Sequence, residues 1–234
     1  MSTRGFFITG TDTGIGKTWS TLALMQACKI GGMKVAGMKP VASGSEETGG
    51  ELRNEDALMI QSYCSRPYPY ELINPYVFRE PIAPHIAAAK NGITISIGKI
   101  VDAYRLLSEK SDVVMVEGIG GWRVPITEDH TTSEMVEALD LPVILVVGLR
   151  LGCINHALLT NQVIQSDNIK LAGWIVSCVD KEYLETEKTI QTLIEKIDAP
   201  LLGKLPFSPV CDVEALGKHI SINDLLENWP INIQ

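Results

Sequence analysis

The sequence predicts an α/β fold: a doubly wound, mainly parallel sheet with helices on its faces. Three observations lead there. Short β-branched apolar runs recur along the chain, helical periodicities separate them, and the first run opens into a glycine-rich turn followed by a helix. The runs cover residues 5–9, 35–38, 113–116, 143–147 and 171–176, and each is short and apolar throughout, as a strand covered on both faces must be. Between them, residues 17–30, 97–108, 154–166 and 184–197 space their apolar side chains by three and four, which gathers them on one helical face for packing. Residues 43–84 are rich in Pro, Tyr and Glu and are expected to hold only short helices.

The 234 residues suit one P-loop-like domain spanning 1–234, since no linker-like shift in composition, repeat or low-complexity tract divides them. Apolar residues make up 45% and charged residues 21%, an ordinary globular balance that excludes a disordered or fibrous chain. A formal net charge of −8 argues against nucleic acid as a partner. No uncharged apolar run approaches the ~18 residues of a membrane helix, and no basic start precedes an apolar leader, so neither a membrane nor a secretory route is expected. The five cysteines lie far apart without a C-x-x-C pair and read as reduced thiols in a cytoplasmic protein.

After the first strand the chain reads Gly10-Thr11-Asp12-Thr13-Gly14-Ile15-Gly16-Lys17-Thr18 and then turns helical. A strand, a glycine loop and a helix in that order aim successive backbone N–H groups and the positive helix end at a phosphate. The lysine adds an ammonium and the threonine a hydroxyl for Mg²⁺. The spacing is a variant of G-x-x-x-x-G-K-[ST], with Thr11 where the first glycine would stand and Gly10 one place earlier. Residues Asp12 to Thr18 are therefore the expected nucleotide contacts.

Two further groups sit at strand ends, the edge where open α/β sheets bind ligands. Lys39 ends the second strand in Gly37-Met38-Lys39-Pro40-Val41-Ala42-Ser43-Gly44, and by itself reads either as a solvated strand-end charge or as a phosphate contact, with Ser43 close by. Glu117 ends the third strand before Gly118-Ile119-Gly120-Gly121, a Walker-B-like layout in which a carboxylate helps to hold Mg²⁺ beside glycines that permit close approach. Asp56 is a further candidate for the metal, although a helix-starting acid would look the same.

Taken together, G-T-D-T-x-x-G-K-T at 10–18, K-P-V-A-S-G at 39–44, N-P-Y at 74–76, P-H-I at 84–86, V-E-G-I-G-G-W at 116–122 and L-G-C-I-N-H-A at 151–157 resemble the dethiobiotin synthetase family over about residues 5–206. The resemblance implies an ATP-dependent ligase that converts 7,8-diaminononanoate, CO₂ and ATP into dethiobiotin, ADP and phosphate through a phosphorylated carbamate. It also implies that Lys17 and Lys39 stabilise the phosphates and the carbamate, that Thr18, Asp56 and Glu117 surround Mg²⁺, and that Thr13 and Ser43 assist at the carbamate. Gly118 and Gly121 would border the substrate. A homodimer would bring Asn155 of the 151–157 loop to the substrate carboxylate in the neighbouring subunit; without the resemblance Asn155 and His156 read as an ordinary N-cap pair, and His85 as a polar loop residue.

One departure stands out. Where the family often carries an asparagine that reads the adenine edge, this chain has Ser177-Cys178, and the tail 207–234 matches too poorly to assign. A nucleotide-switched ATPase is the main rival. Its class usually bears an additional lysine early in the phosphate loop, which Gly10-Thr11-Asp12-Thr13 lacks. An amidoligase of related core would need a second domain that this length does not hold, and a paralogue with another substrate or a non-catalytic nucleotide-binding module completes the alternatives.

Overall fold

The computed structural model describes residues 5–229; the N-terminal four residues and the last five of the unassigned tail lie outside them. Six parallel strands form the central sheet: β1 (Gly5–Gly10), β2 (Val35–Met38), β7 (Val113–Glu117), β8 (Val143–Gly148), β9 (Leu171–Ser177) and β10 (Leu201–Leu205). Their order across the sheet is β10-β9-β8-β1-β7-β2, so β1 lies inside the sheet with β7 and β8 as its neighbours. Every residue of β1, β2, β7 and β8 is buried, which is why these four strands read as unbroken apolar runs. All five predicted strands are present.

The sixth, β10, is absent from the sequence reading because it is an edge strand with a half-exposed Leu-Leu-Gly-Lys-Leu pattern. The connections are helices α1 (Lys17–Ile30), α5 (Ile97–Ser108), α6 (Thr132–Leu139), α7 (Cys153–Ser166) and α8 (Thr186–Ile194). The helix expected over 184–197 is shorter at both ends, because Glu185 takes a left-handed conformation at the N-cap and Leu184 stays 81% exposed. The unpredicted α6 starts on a capping box in which Thr131 and Glu134 satisfy each other's backbone.

Between β2 and α5 the chain forms small pieces, as expected: β3 (Val41–Ala42) pairs with β6 (Tyr76–Val77), and β4 (Glu46–Thr48) with β5 (Glu51–Arg53) in an exposed hairpin. The helices here are α2 (Glu55–Tyr63), α3 (Tyr70–Ile73) and α4 (Pro84–Lys90). Two more, α9 (Val213–Gly217) and α10 (Asn223–Asn228), follow β10, and Gly217 lets α9 lie directly on α1 at Gln26. Most of the core is one continuous cluster, while Leu145, Val147, Trp174 and Val176 turn to a second cluster with α7 and α8. Because all six strands run the same way, β1, β2, β7 and β9 deliver their carboxyl ends to one edge of the sheet.

Candidate functional site

At that edge lies a cleft of about 790 Å³. Its floor is the phosphate loop. Gly14 and Gly16 have φ of 71° and 85°, left-handed values that a side chain would resist, and the helix α1 begins directly after Gly16. The Lys17 ammonium folds back to donate to the Asp12 carbonyl at 2.7 Å. Burial pushes Lys17 down to about 8, against the pull of Glu117 that would raise it. Ile15 points away from the cleft, packing against Gly10 and Gly148, so its expected role reduces to that of its backbone. Asp12 likewise turns outward: its carboxylate accepts the Thr13 N–H and pairs with Arg150, and it is held below the ordinary carboxylate range first by that N–H and then by the guanidinium.

The strand ends bring the other expected groups together. Lys39 donates to Glu117 Oε1 at 2.6 Å and to Asp56 Oδ2 at 2.9 Å, and the Thr18 hydroxyl donates to the same Glu117 oxygen at 2.9 Å. Lys39 is buried, so the solvated reading of this lysine does not hold. Burial would lower its proton affinity, but the two carboxylates outweigh that and raise it. Burial likewise works to raise Asp56, and the Lys39 charge more than reverses it. Asp56 stands in the first turn of α2, whose N-cap Asn54 accepts the Ala57 N–H, a cap worth about 1 kcal/mol.

What holds Lys39 and Asp56 in register escapes the sequence. Asn74 donates to the Lys39 carbonyl at 2.7 Å and to the Tyr76 carbonyl at 3.0 Å; the Tyr70 hydroxyl donates to Asn74 Oδ1 at 2.9 Å and accepts the Asn54 N–H at 2.8 Å. The backbone of the lysine and the cap of the aspartate's helix are thus joined through two buried side chains. The N-P-Y motif signals the place, but its purpose depends on tertiary contacts.

The walls complete the site. Ser43, Gly118, Ile119 and Gly120 border the cleft, as do Pro81 to Pro84 opposite. Gly121 does not line it but backs the phosphate loop, where a Cβ would lie 3.5 Å from the Gly10 carbonyl. At the far end stand Ser177, Cys178, Val179 and the segment Leu205 to Ser208, so the tail left unassigned from sequence does contribute. The Ser177 hydroxyl is tucked under the phosphate loop: a Cβ on Gly16 would come within 2.2 Å of it. Asn155 and His156 are exposed and stand apart from this cleft, and the N-cap of α7 is Gly152, so the N-cap reading of that pair is corrected: both lie inside the first turn.

Two buried oxygens on residues that line the cleft, Glu117 Oε2 and Ser43 Oγ, have no hydrogen-bond partner among the described residues. A hard divalent ion takes a few protein oxygens and completes its shell with phosphate and water. Glu117, Asp56 and the Thr18 hydroxyl are oxygen donors of that kind and fit Mg²⁺.

A parallel sheet feeding a glycine loop and a helix, with a lysine closing the loop and an acid at the end of the neighbouring strand β7, defines a P-loop nucleotide-binding protein. Residues 4–215 match a family profile described as an AAA domain. Across 221 residues the chain is 44% identical to ATP-dependent dethiobiotin synthetase BioD of Pseudomonas paraeruginosa, covering 94% of this chain and 97% of that protein. The same-named protein of Cellvibrio japonicus is 41% identical over 97% of this chain and all of its own length. The chain belongs to the ATP-dependent dethiobiotin synthetase family. In fold it is similar to the MinD cell division protein of Aquifex aeolicus, with a TM-score of 0.54 at 19% identity over 97% of this chain and 91% of that one. A ParA family ATPase of Chlorobium tepidum gives 0.52 at 17% identity over 98% and 94%.

Proposed function

We propose that this protein makes dethiobiotin from 7,8-diaminononanoate, CO₂ and ATP, as an Mg²⁺-dependent ligase of biotin synthesis. The observation that carries the reading is the buried contact of Lys39 with Glu117 beside the phosphate-loop lysine, in a cleft of about 790 Å³ that both line. One amine of the diamine adds CO₂ to give a carbamate; its oxygen takes the γ-phosphoryl group and releases ADP. The second amine then attacks the carbonyl of this mixed anhydride, closes the ureido ring and expels phosphate. Such chemistry asks the protein for positioning and neutralisation of charge more than for covalent help.

Backbone N–H groups of residues 13–18 and the Lys17 ammonium bind the triphosphate. Lys39, kept charged by its two carboxylates, lies against the carbamate and the transferring phosphoryl group. Thr13 and Ser43 orient the carbamate, and the Ser43 hydroxyl has its hydrogen-bonding capacity free for that task. Glu117, Asp56 and Thr18 would hold Mg²⁺, which when bound neutralises charge on the phosphate oxygens. Ser177 borders the base end and Gly118 the substrate, while Gly121 backs the phosphate loop and takes no part in the substrate wall.

The remaining parts of the reading concern assembly and place. The active protein is a homodimer in which Asn155 of one subunit reaches the substrate carboxylate of the other; its exposure on the first turn of α7, beside a 94% exposed Leu151, supports this. Residues 1–234 form one domain, supported by the core cluster that runs across the sheet. A cytoplasmic location is supported by cysteines that are all unpaired. Among the described residues, no helix is long and apolar enough to cross a membrane.

The test is direct: purified protein with Mg-ATP, bicarbonate and diaminononanoate, followed by mass spectrometry for dethiobiotin. ATP turnover that ignores the diamine, with no dethiobiotin formed, would overturn the reading in favour of a nucleotide-switched ATPase.

A further inference from the structure

The C-terminal end of α7 carries a carboxylate that the site does not use directly. Asp167 follows the last helical residue, its N–H bonded to the Val163 carbonyl, and Asn168 closes the end at φ 56°. A negative charge at this end opposes the helix dipole, so helix stability does not account for it. Its two oxygens are both engaged by consecutive residues of another loop: Trp122 Nε1 donates to Oδ2 at 2.7 Å and Arg123 Nη2 to Oδ1 at 2.5 Å. Arg123 also donates to Ser133 Oγ at 2.8 Å, tying the same loop to the start of α6. Trp122 is 4% exposed, and a buried indole N–H requires an acceptor.

Those two residues immediately follow the glycine segment that separates Glu117 from the rest of the loop. Gly120 has φ 63°, and a Cβ there would meet Val124 at 2.8 Å and approach the Thr13 hydroxyl to 3.8 Å. With glycine at 118, 120 and 121, this segment has little intrinsic stiffness, yet it must keep a fixed distance from the phosphate loop. On the far side it is tied down by the Asp167 contacts of Trp122 and Arg123, with the Arg123–Ser133 and Thr132–Val124 bonds beyond them.

We propose that Asp167 is a positioning residue: by clamping Trp122 and Arg123 it sets the glycine wall 118–120 against Thr13 and so orients the diamine substrate. The inference rests on the reaction proposed above. Because the clamp acts on the substrate wall and leaves the backbone of residues 13–18 in place, its loss falls on the diamine and spares the nucleotide.

The test uses the full-length enzyme. Asp167→Ala is expected to lower kcat/KM for diaminononanoate about tenfold or more, the scale at which small misplacements of a wall are felt, while the KM for ATP changes less than about twofold. Asp167→Asn keeps an acceptor for the indole and loses the charge, and is expected to fall between Asp167→Ala and wild type, which keeps the test alive if the alanine variant folds poorly. Trp122→Phe added to Asp167→Ala should cost less than the sum of the two changes, since both remove the same Trp122–Asp167 bond. Losses in diamine and ATP kinetics that run in parallel, or variants indistinguishable from wild type, overturn the proposal. A wild-type enzyme that forms no dethiobiotin removes the reaction and this proposal with it, whereas wild-type turnover with unaffected variants removes the clamp alone.

Discussion

Lys17 offers a prediction with opposite signs in two measurements. The residue is only 8% exposed, and burial drives its pKa to about 8, some way below the ordinary lysine value of 10.5. Below pH 8 the ammonium is charged in the nucleotide-free protein, and its burial is a standing cost. As pH rises from 8 to 10.5 the folded protein loses a proton that the unfolded chain keeps, so stability increases over that window, by at most about 3 kcal/mol. Nucleotide affinity moves the other way. Bound triphosphate holds the ammonium charged, so above pH 8 binding must be coupled to uptake of a proton, and at pH 9.5 the Kd of a non-hydrolysable ATP analogue should be about thirtyfold weaker than at pH 7. Calorimetric titration across pH 7–9.5 measures this, with Lys17→Arg as the control, since a guanidinium stays charged throughout. A wild-type Kd that is flat over the range, or a Lys17→Arg variant with the same slope, would refute the reasoning. So would a nucleotide-free melting temperature that falls between pH 8 and 10 relative to Lys17→Met.

Lys39→Ala is expected to reduce kcat about 10²–10³-fold, the usual effect of deleting one preorganised charge, and near-wild-type turnover would remove Lys39 from the chemistry. Glu117→Gln should leave the strand intact and shift the Mg²⁺ dependence of turnover to higher concentration; an unchanged Mg²⁺ titration would take Glu117 out of the metal site. Mixing Asn155→Ala with Lys17→Ala protein should restore part of the lost activity through mixed dimers with one intact site, and light scattering that shows a monomer at assay concentration would sink the composite site. Ser177→Asn should raise the kcat/KM preference for ATP over CTP and GTP by up to about tenfold, equivalent to one side-chain hydrogen bond; unchanged ratios would show that position 177 does not govern base choice.

Much of this site was legible because its chemistry sits where sequence pattern is strongest. Lys39 and Glu117 stand at the ends of fully buried strands, and Lys17 and Thr18 open the helix behind the glycine loop that follows another, so an apolar run or a glycine loop points at each of them. Asp56 needed the structure, since a helix-starting acid and a metal-site acid have the same sequence context, and only the 2.9 Å contact with Lys39 separates them. The Asn54–Tyr70–Asn74 connection and the Arg150 pairing with Asp12 were illegible for the same reason: each joins residues far apart in sequence through single polar contacts, which leave no periodicity. The strand β10 was missed for an opposite cause, as its edge position relaxes the apolar pattern that betrayed the others.

The contact between Gly16 and Ser177 constrains how this sequence drifts over evolutionary time. Position 16 is fixed twice over, by its left-handed backbone and by the hydroxyl that fills the space a side chain would need. Shrinking residue 177 would relieve only the second constraint, so no single compensating change opens position 16. Position 177 is constrained in turn, since its side chain is buried and points at Gly16, so only a small residue fits there in the orientation that serine takes. Positions 16 and 177 are therefore coupled: the tip of β9 and the phosphate loop above it change together or not at all.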